Sequence, residues 1–250
     1  MEKQTIGLVA AMPQEIAPLL KRIRVQERLR LGRFRSYRFT LANLDCLLIE
    51  TGIGARRAGA ATRTLLEALR PDLILSFGIA GAVENGLHIG DVVAGSRVYS
   101  LEDGVPGRPI ALASLPPQAQ QAAAHVLQDC GARLVPGTIV TTPGSQTIST
   151  RPLEFLHPVL EMETAAVAWI ASERGIPLLA LRAISDTPAE PIPIPIEDIY
   201  DKEYRMRTGR MIWAIVRRPG LLPRLILVER NSRRAEENAA IAVAAILTEL

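Results

Sequence analysis

Residues Glu161–Asp186 read EMETAAVAWIASERGIPLLALRAISD. Two carboxylates, Glu161 and Glu163, stand ahead of an apolar run of helical length. A second apolar run, IPLLALRAIS, has the length of a strand and stops at Asp186. A strand that is apolar throughout must be covered on both faces, as in a parallel sheet. The stretch therefore predicts a helix feeding a buried strand, with acidic side chains at both ends of the unit.

The same alternation extends outward. Residues 5–11 (TIGLVAA) predict a buried first strand. Pro13 suits the first turn of a helix through EIAPLLKRI, with Glu15 near its start. Residues 35–50 predict two strands around a turn at Ala42-Asn43. The glycine turn Thr51-Gly52-Ile53-Gly54 feeds a helix, ARRAGAATRTLLEALR, and LILSFGIAGAV predicts another buried strand. Two more strands are expected in GDVVAGSRVYS and LVPGTIVTT, with a helix between them that closes at Gly131. A last helix is expected over 231–250, capped by Asn231 or Ser232. This order predicts an α/β fold: a three-layer sandwich with a mixed, largely parallel central sheet flanked by helices. Residues 1–250 are read as one domain, with a proline-rich loop at 187–200 and a basic, apolar insert at 201–234.

Apolar residues make up 48% of the 250, enough for a sizeable core. Lys plus Arg (29) nearly balance Asp plus Glu (26), so charge gives no argument for nucleic acid. Cys46 and Cys130 make no disulfide framework, and no Cys/His spacing suits zinc. The first apolar run is too short for a signal peptide, and no uninterrupted run reaches transmembrane length. A cytoplasmic protein without a metal is expected.

Buried parallel strands present their functional loops at their carboxyl ends. Four ends qualify: Ala11-Met12 leading to Glu15, Thr51 leading to Gly52-Ile53-Gly54, Phe77 leading to Gly78-Ile79-Ala80-Gly81, and Ile184 leading to Ser185-Asp186. If these meet Glu161 and Glu163, the site holds several carboxylates, Arg182 and no histidine. That is unsuited to a Ser-His-Asp triad and suits acid–base chemistry on a hydroxyl-rich substrate. Singly, each residue has a plainer reading: charges in a helix's first turn, a turn residue at Asp186, an ion-pair partner at Arg182. Those plainer readings do not predict all the motifs in this order.

Glu161-Met162-Glu163-Thr164-Ala165-Ala166 followed by Arg182-Ala183-Ile184-Ser185-Asp186 resembles the signature of the nucleoside phosphorylase superfamily. More narrowly, it resembles the methylthioadenosine/S-adenosylhomocysteine nucleosidases. Ala10-Ala11-Met12-Pro13-Gln14-Glu15, the two glycine turns and Gly90-Asp91-Val92-Val93 are similar to further motifs of that branch. The resemblance implies hydrolysis of a purine N-glycosidic bond without a cofactor, by a homodimer or larger homo-oligomer. Asp186 would be the general acid at the purine N7, supported by Ser185. Glu163 would bind the ribose hydroxyls, and Glu15 would activate water with help from Arg182. Met162 would pack on the ribose. Met12, Ile53, Gly78, Ile79, Ala80 and Glu161 would complete the substrate site.

The nucleophile stays open between water and phosphate. Phosphorylases of this superfamily place an arginine before the third glycine turn and a serine within it. The matching positions here, Ser76 and Ile79, favour water, while Arg56-Arg57 after the second turn leave an anion possible. The nucleosidases also stack an aromatic residue on the purine from the region 141–157, where Phe155 is the candidate. From Lys202 to Arg234 ten Lys/Arg face two acids, Glu203 and Glu229, among apolar stretches. This segment resembles the tail of phosphorylase-like proteins associated with hopanoid lipid synthesis, which act on an adenosyl lipid. A lid, an oligomer contact and a membrane-surface element through 205–230 are the readings it leaves.

Overall fold

The structure is a computed structural model that describes residues 3–143, 155–192 and 221–250. In chain order the strands are β1 (Gln4–Ala10), β2 (Val25–Leu31), β3 (Phe34–Leu41), β4 (Leu44–Glu50), β5 (Leu73–Ala82), β6 (Val92–Glu102), β7 (Val105–Pro106), β8 (Ile110–Ala111), β9 (Leu134–Thr141), β10 (Pro158–Glu161) and β11 (Leu178–Asp186). The helices among the described residues are α1 (Pro13–Leu20), α2 (Ala55–Ala68), α3 (Pro117–Asp129), α4 (Thr164–Glu173) and α5 (Leu221–Thr248).

The strands form a mixed sheet in the order β10-β9-β6-β11-β5-β1-β4-β3-β2. The central pairs β11–β5, β5–β1 and β1–β4 are parallel, as the buried apolar runs predict. Helices α1, α3 and α5 cover one face, around Leu8, Leu75, Phe77 and Leu181. Helices α2 and α4 cover the other, around Val9, Ile74, Ala180 and Ile184. Odd-numbered residues of β5 thus face one layer and even-numbered ones the other, the period-2 alternation of a pleated strand.

One pairing was not foreseen. Strand β10, besides lying parallel to β9, pairs antiparallel with β5. Strands β5, β11, β6, β9 and β10 therefore close on themselves. Closure sets the site: Leu160 of β10 and Asp186 of β11 both register against Gly81 of β5, from its two sides. The EMET segment and Asp186 are brought to one place by strand pairing, although 25 positions separate Glu161 from Asp186.

Three other features depart from the sequence reading. Strand β2 alternates charge with half-buried apolar residues at the sheet edge, so it carries no buried-strand signal. Strand β10 is only four residues long. Helix α5 already runs from Leu221, so Asn231 and Ser232 are interior helix positions and not caps. Of the proline-rich loop, residues 187–192 are described and open with a turn in which Thr187 and Glu190 exchange backbone hydrogen bonds. Residues 193–200, and 201–220 of the basic stretch, lie outside the described residues, whereas 221–234 form the first half of α5.

Candidate active site

The site is built around Gly78-Ile79-Ala80-Gly81, which the sequence predicts as a turn but which the pairing with β11 keeps inside β5. The β1–β5 ladder stops at Val9 opposite Ser76, but β5 continues. Glu15, in the first turn of α1, fills the place that β1 vacates. Its Oε1 accepts the Ile79 N–H at 3.0 Å. Its Oε2 accepts the N–H groups of Ala11 at 3.0 Å and Met12 at 2.8 Å. A Cβ on residue 78 would overlap Oε1 and stand 3.0 Å from Cδ, so glycine there makes room for the carboxylate. Burial raises the proton affinity of Glu15, and the three N–H groups and the charge of Arg182 oppose that shift.

Glu161, at the end of β10, is 5% exposed and wholly engaged by the protein. Arg182 approaches it at 3.0 Å through Nη2 and 3.3 Å through Nε. The Thr164 hydroxyl donates to it at 2.7 Å, and the Thr141 hydroxyl donates to its other oxygen. The backbone N–H groups of Glu163 and Thr164 point at it as well, at 3.0 and 2.9 Å. Its carboxylate thus satisfies the first donors of α4 and fixes the backbone of Glu163. Arg182, 3% exposed, completes its own bonds to Thr164 Oγ1, Ser76 Oγ and the Leu181 carbonyl. An ion pair this deep stays together because every donor and acceptor is used.

Glu163 follows at the start of α4. Its Oε1 accepts the Gly54 N–H at 2.7 Å, which ties α4 to the second glycine turn. Gly52 and Gly54 in that turn have φ of 76° and 100°, a region that strains any side chain. The Glu163 carboxyl is pushed up to about 8, chiefly by burial, then by the charge of Glu161, with Glu15 adding to it. Asp186 ends β11. Its Oδ1 accepts the Ser185 hydroxyl at 2.7 Å, and its Oδ2 lies over Gly81, where a Cβ would come within 2.5 Å. Burial raises its proton affinity, against the pull of the Ser185 hydroxyl.

The structure thus brings Glu15, Glu163, Arg182 and Asp186 to one end of β5, with Met12, Ile53 and Met162 on the adjoining turns, Ile79 in β5 and Ser185 in β11. Met12, Ile53, Met162 and Ile79 are half-buried there, while Gly78, Ala80 and Ser185 are buried. Glu161 and Arg182 form an internal brace under the site. Phe155 stacks on the Tyr99 ring of β6, with ring centres 4.5 Å apart. Among the described residues no cluster of His, Cys, Asp or Glu is arranged to hold a metal ion, and no helix is long and apolar enough to cross a membrane. In the described part of 205–230, Ile226 and Leu227 of α5 are exposed.

Several residues packed near the site's elements carried no signal in the sequence. Thr141 was invisible as a partner of Glu161 because only the β10–β9 pairing brings them together, and Thr164, three residues on, read as an ordinary helix-start residue. Glu236 of α5, a buried carboxyl pushed up to about 7 by burial and then by the charge of Glu15, lies far off in sequence. Asn231 and Asn238 read as ordinary helix polar positions.

Gathered carboxyls at the carboxyl ends of parallel strands, beside a glycine turn, define a site for acid–base chemistry on a small polar molecule. A family model described as the phosphorylase superfamily matches residues 5–217, and the chain belongs to that superfamily. It is similar to a 5′-methylthioadenosine/S-adenosylhomocysteine nucleosidase of an Exiguobacterium species, 24% identical over 85% of this chain and 97% of the relative. Its fold matches that nucleosidase from Neisseria meningitidis, solved with methylthio-immucillin-A, with a TM-score of 0.72 and 22% identity over 99% of this chain and 100% of the other. The futalosine hydrolase of Helicobacter pylori matches with a TM-score of 0.72 and 19% identity over 99% of both chains.

Proposed function

We propose that this protein hydrolyses the N-glycosidic bond of a purine nucleoside, a 5′-substituted adenosine of the methylthioadenosine or S-adenosylhomocysteine type, and releases adenine. The observation that carries this reading is the gathering of three carboxyls from three chain segments: Glu15 over Gly78, Asp186 over Gly81, and Glu163 on the Gly54 N–H within range of the charge of Glu15. Each has a raised proton affinity. An adenine anion is a poor leaving group and the sugar left behind is cation-like, so the reaction needs an acid on one side and negative charge on the other.

Asp186, whose proton affinity burial raises, gives a proton to the ring nitrogen N7 as the C1′–N9 bond lengthens. Glu163 accepts the ribose hydroxyls, and its anion is favoured as positive charge grows on the sugar. Glu15, fixed by three backbone N–H groups, takes a proton from the water that attacks C1′. The backbone positions of Met162 and Ile53 would hold the ribose between α4 and the second glycine turn. Glu161 and Arg182 act beneath this layer by setting the backbone of Glu163.

Water is favoured over phosphate as nucleophile for two reasons. Three carboxyl groups, Glu15, Glu163 and Asp186, gather at the site, and the cation beneath it, Arg182, is already neutralised by Glu161. Ile79 offers no hydroxyl to an oxyanion. One observation favours phosphate instead: the Arg57 side chain lies over Gly52, where a Cβ would meet its guanidinium at 2.9 Å. The test is adenine release from methylthioadenosine in phosphate-free buffer. Turnover without phosphate supports hydrolysis; strict dependence on added phosphate assigns the protein to phosphorolysis.

A further inference from the structure

We infer that Asn231 and Asn238 of α5 are positioning residues for Asp186, holding the chain on either side of it so that its carboxyl is aimed at the leaving base. The inference rests on the reading of Asp186 as the general acid.

Asp186 sits at a tip, with β11 before it and a turn after it. Both flanks are tied to α5. On the far side, Asn231 Nδ2 donates to Glu190 Oε2 at 2.8 Å. Glu190 closes the turn that follows Asp186, since its N–H donates to the Thr187 carbonyl at 3.1 Å and its carbonyl accepts the Thr187 N–H at 3.3 Å. Thr187 is the residue next to Asp186. On the near side, Asn238 Nδ2 donates to the Gly90 carbonyl at 2.8 Å. The Gly90 N–H donates to the Ile184 carbonyl at 2.8 Å, and the Ile184 N–H donates to the Asp91 carbonyl at 2.9 Å. Gly90-Asp91 therefore grips both backbone groups of Ile184, two residues before Asp186.

The tethers are built in. Asn231 is 8% exposed and Asn238 3% exposed, and the energetic case for burying an amide is the hydrogen bond it makes. Gly90 has φ of 90°, and a Cβ there would stand 2.8 Å from Asn238 Nδ2. The Gly90 turn is thus shaped to let the amide reach a backbone carbonyl. The two amides are seven positions apart, about two helical turns, so they project from the same side of α5. One rigid helix then reads both ends of the segment that carries the acid. General acid catalysis is sensitive to such aim, because proton delivery requires hydrogen-bond reach to one nitrogen.

The experiment compares two leaving groups on the same enzyme: methylthioadenosine, and the p-nitrophenyl glycoside of 5-methylthioribose, whose phenolate departs without a proton. Asn231→Ala, Glu190→Ala and Asn238→Ser are each expected to lower kcat on methylthioadenosine about ten- to a hundredfold. Their turnover of the p-nitrophenyl glycoside should stay within about twofold of the parent. Glu190→Ala breaks the Asn231 tether from the loop side without touching the helix, so it reports even if a helix variant fails to fold. Parallel loss on both substrates, or no loss on either, overturns the inference. Asp186→Asn is the control. If it spares the p-nitrophenyl glycoside while the tether variants show no selectivity, the tethers are wrong and the acid stands. If Asp186→Asn harms both substrates equally, the assignment of the acid fails and the inference with it.

Discussion

Alanine at position 81 is a small change that should disarm the site while leaving the fold intact. A Cβ built on Gly81 comes within 2.5 Å of Asp186 Oδ2 and 3.2 Å of its Cγ. Real Cβ contacts below 3.0 Å are essentially absent, so the carboxyl must retreat by about 0.5 Å to reach 3.0 Å and by about 0.9 Å for an ordinary 3.4 Å contact. The obstacle is the far end of a side chain, so the retreat costs little. Gly81 does not require a positive φ, and alanine in a strand loses less backbone entropy than glycine, which offsets part of the strain. Stability should therefore change by no more than about 1 kcal/mol. Misplacing a catalytic group by about 1 Å costs on the order of a hundredfold, so kcat for adenine release should fall between ten- and a hundredfold. The assay is a paired measurement of thermal melting and adenine release from methylthioadenosine. Gly81→Ala protein that melts like the parent and keeps more than half its kcat would refute the placement of Asp186 as the acid.

Other outcomes follow from the same geometry. Gly78→Ala should displace Glu15 from the Ile79 N–H and lower the rate by a similar factor, read by steady-state kinetics, whereas an unchanged rate would separate Glu15 from the chemistry. Glu161→Gln leaves Arg182 buried without its counter-charge, which should cost about 3–5 kcal/mol in urea unfolding and abolish turnover; a loss below about 1 kcal/mol would mean that the brace is not structural. Glu236 is pushed up to about 7 from an ordinary value of 4.5, so the folded state holds a proton that the unfolded chain has shed across that window. Glu236 then contributes a fall in stability as pH rises from about 4.5 to 7, and Glu236→Gln should remove that share while Glu15, Glu163 and Asp186 keep theirs. Its advantage over the parent in melting experiments should grow by about 1–2 kcal/mol between about pH 5 and pH 8. An advantage independent of pH would contradict a buried carboxyl there.

The sequence made much of this site legible because strand ends announce themselves. The runs before Glu15, Gly52, Gly78 and Asp186 are largely apolar and break into small or polar residues, and such a break is where a parallel strand presents its loop. What stayed hidden was non-local. The pairing of β10 with β5 involves two rungs and no periodic pattern, yet it brings the strand that leads into Glu163 to the same β5 residue, Gly81, that Asp186 registers against. Glu161 looked like a ligand for substrate, because a carboxylate beside Glu163 gives no sign that six protein donors will surround it. Arg182 likewise showed its charge but not its partner. Asn231 looked like a cap because a cluster of polar residues marks helix starts, but the apolar stretch before it carries the helix ten residues further back. Its amide is spent on the loop after Asp186, a contact between residues 41 positions apart.

In the proposed reaction Glu15 activates a water molecule against C1′ while Asp186 releases the base. It is tested most directly by running the reaction on methylthioadenosine in ¹⁸O-water without phosphate and weighing the sugar product. One ¹⁸O on the sugar's anomeric hydroxyl, with free adenine in equal amount and no turnover in Glu15→Gln, is the predicted result. No adenine until phosphate is added, with a sugar 1-phosphate as product, would contradict it.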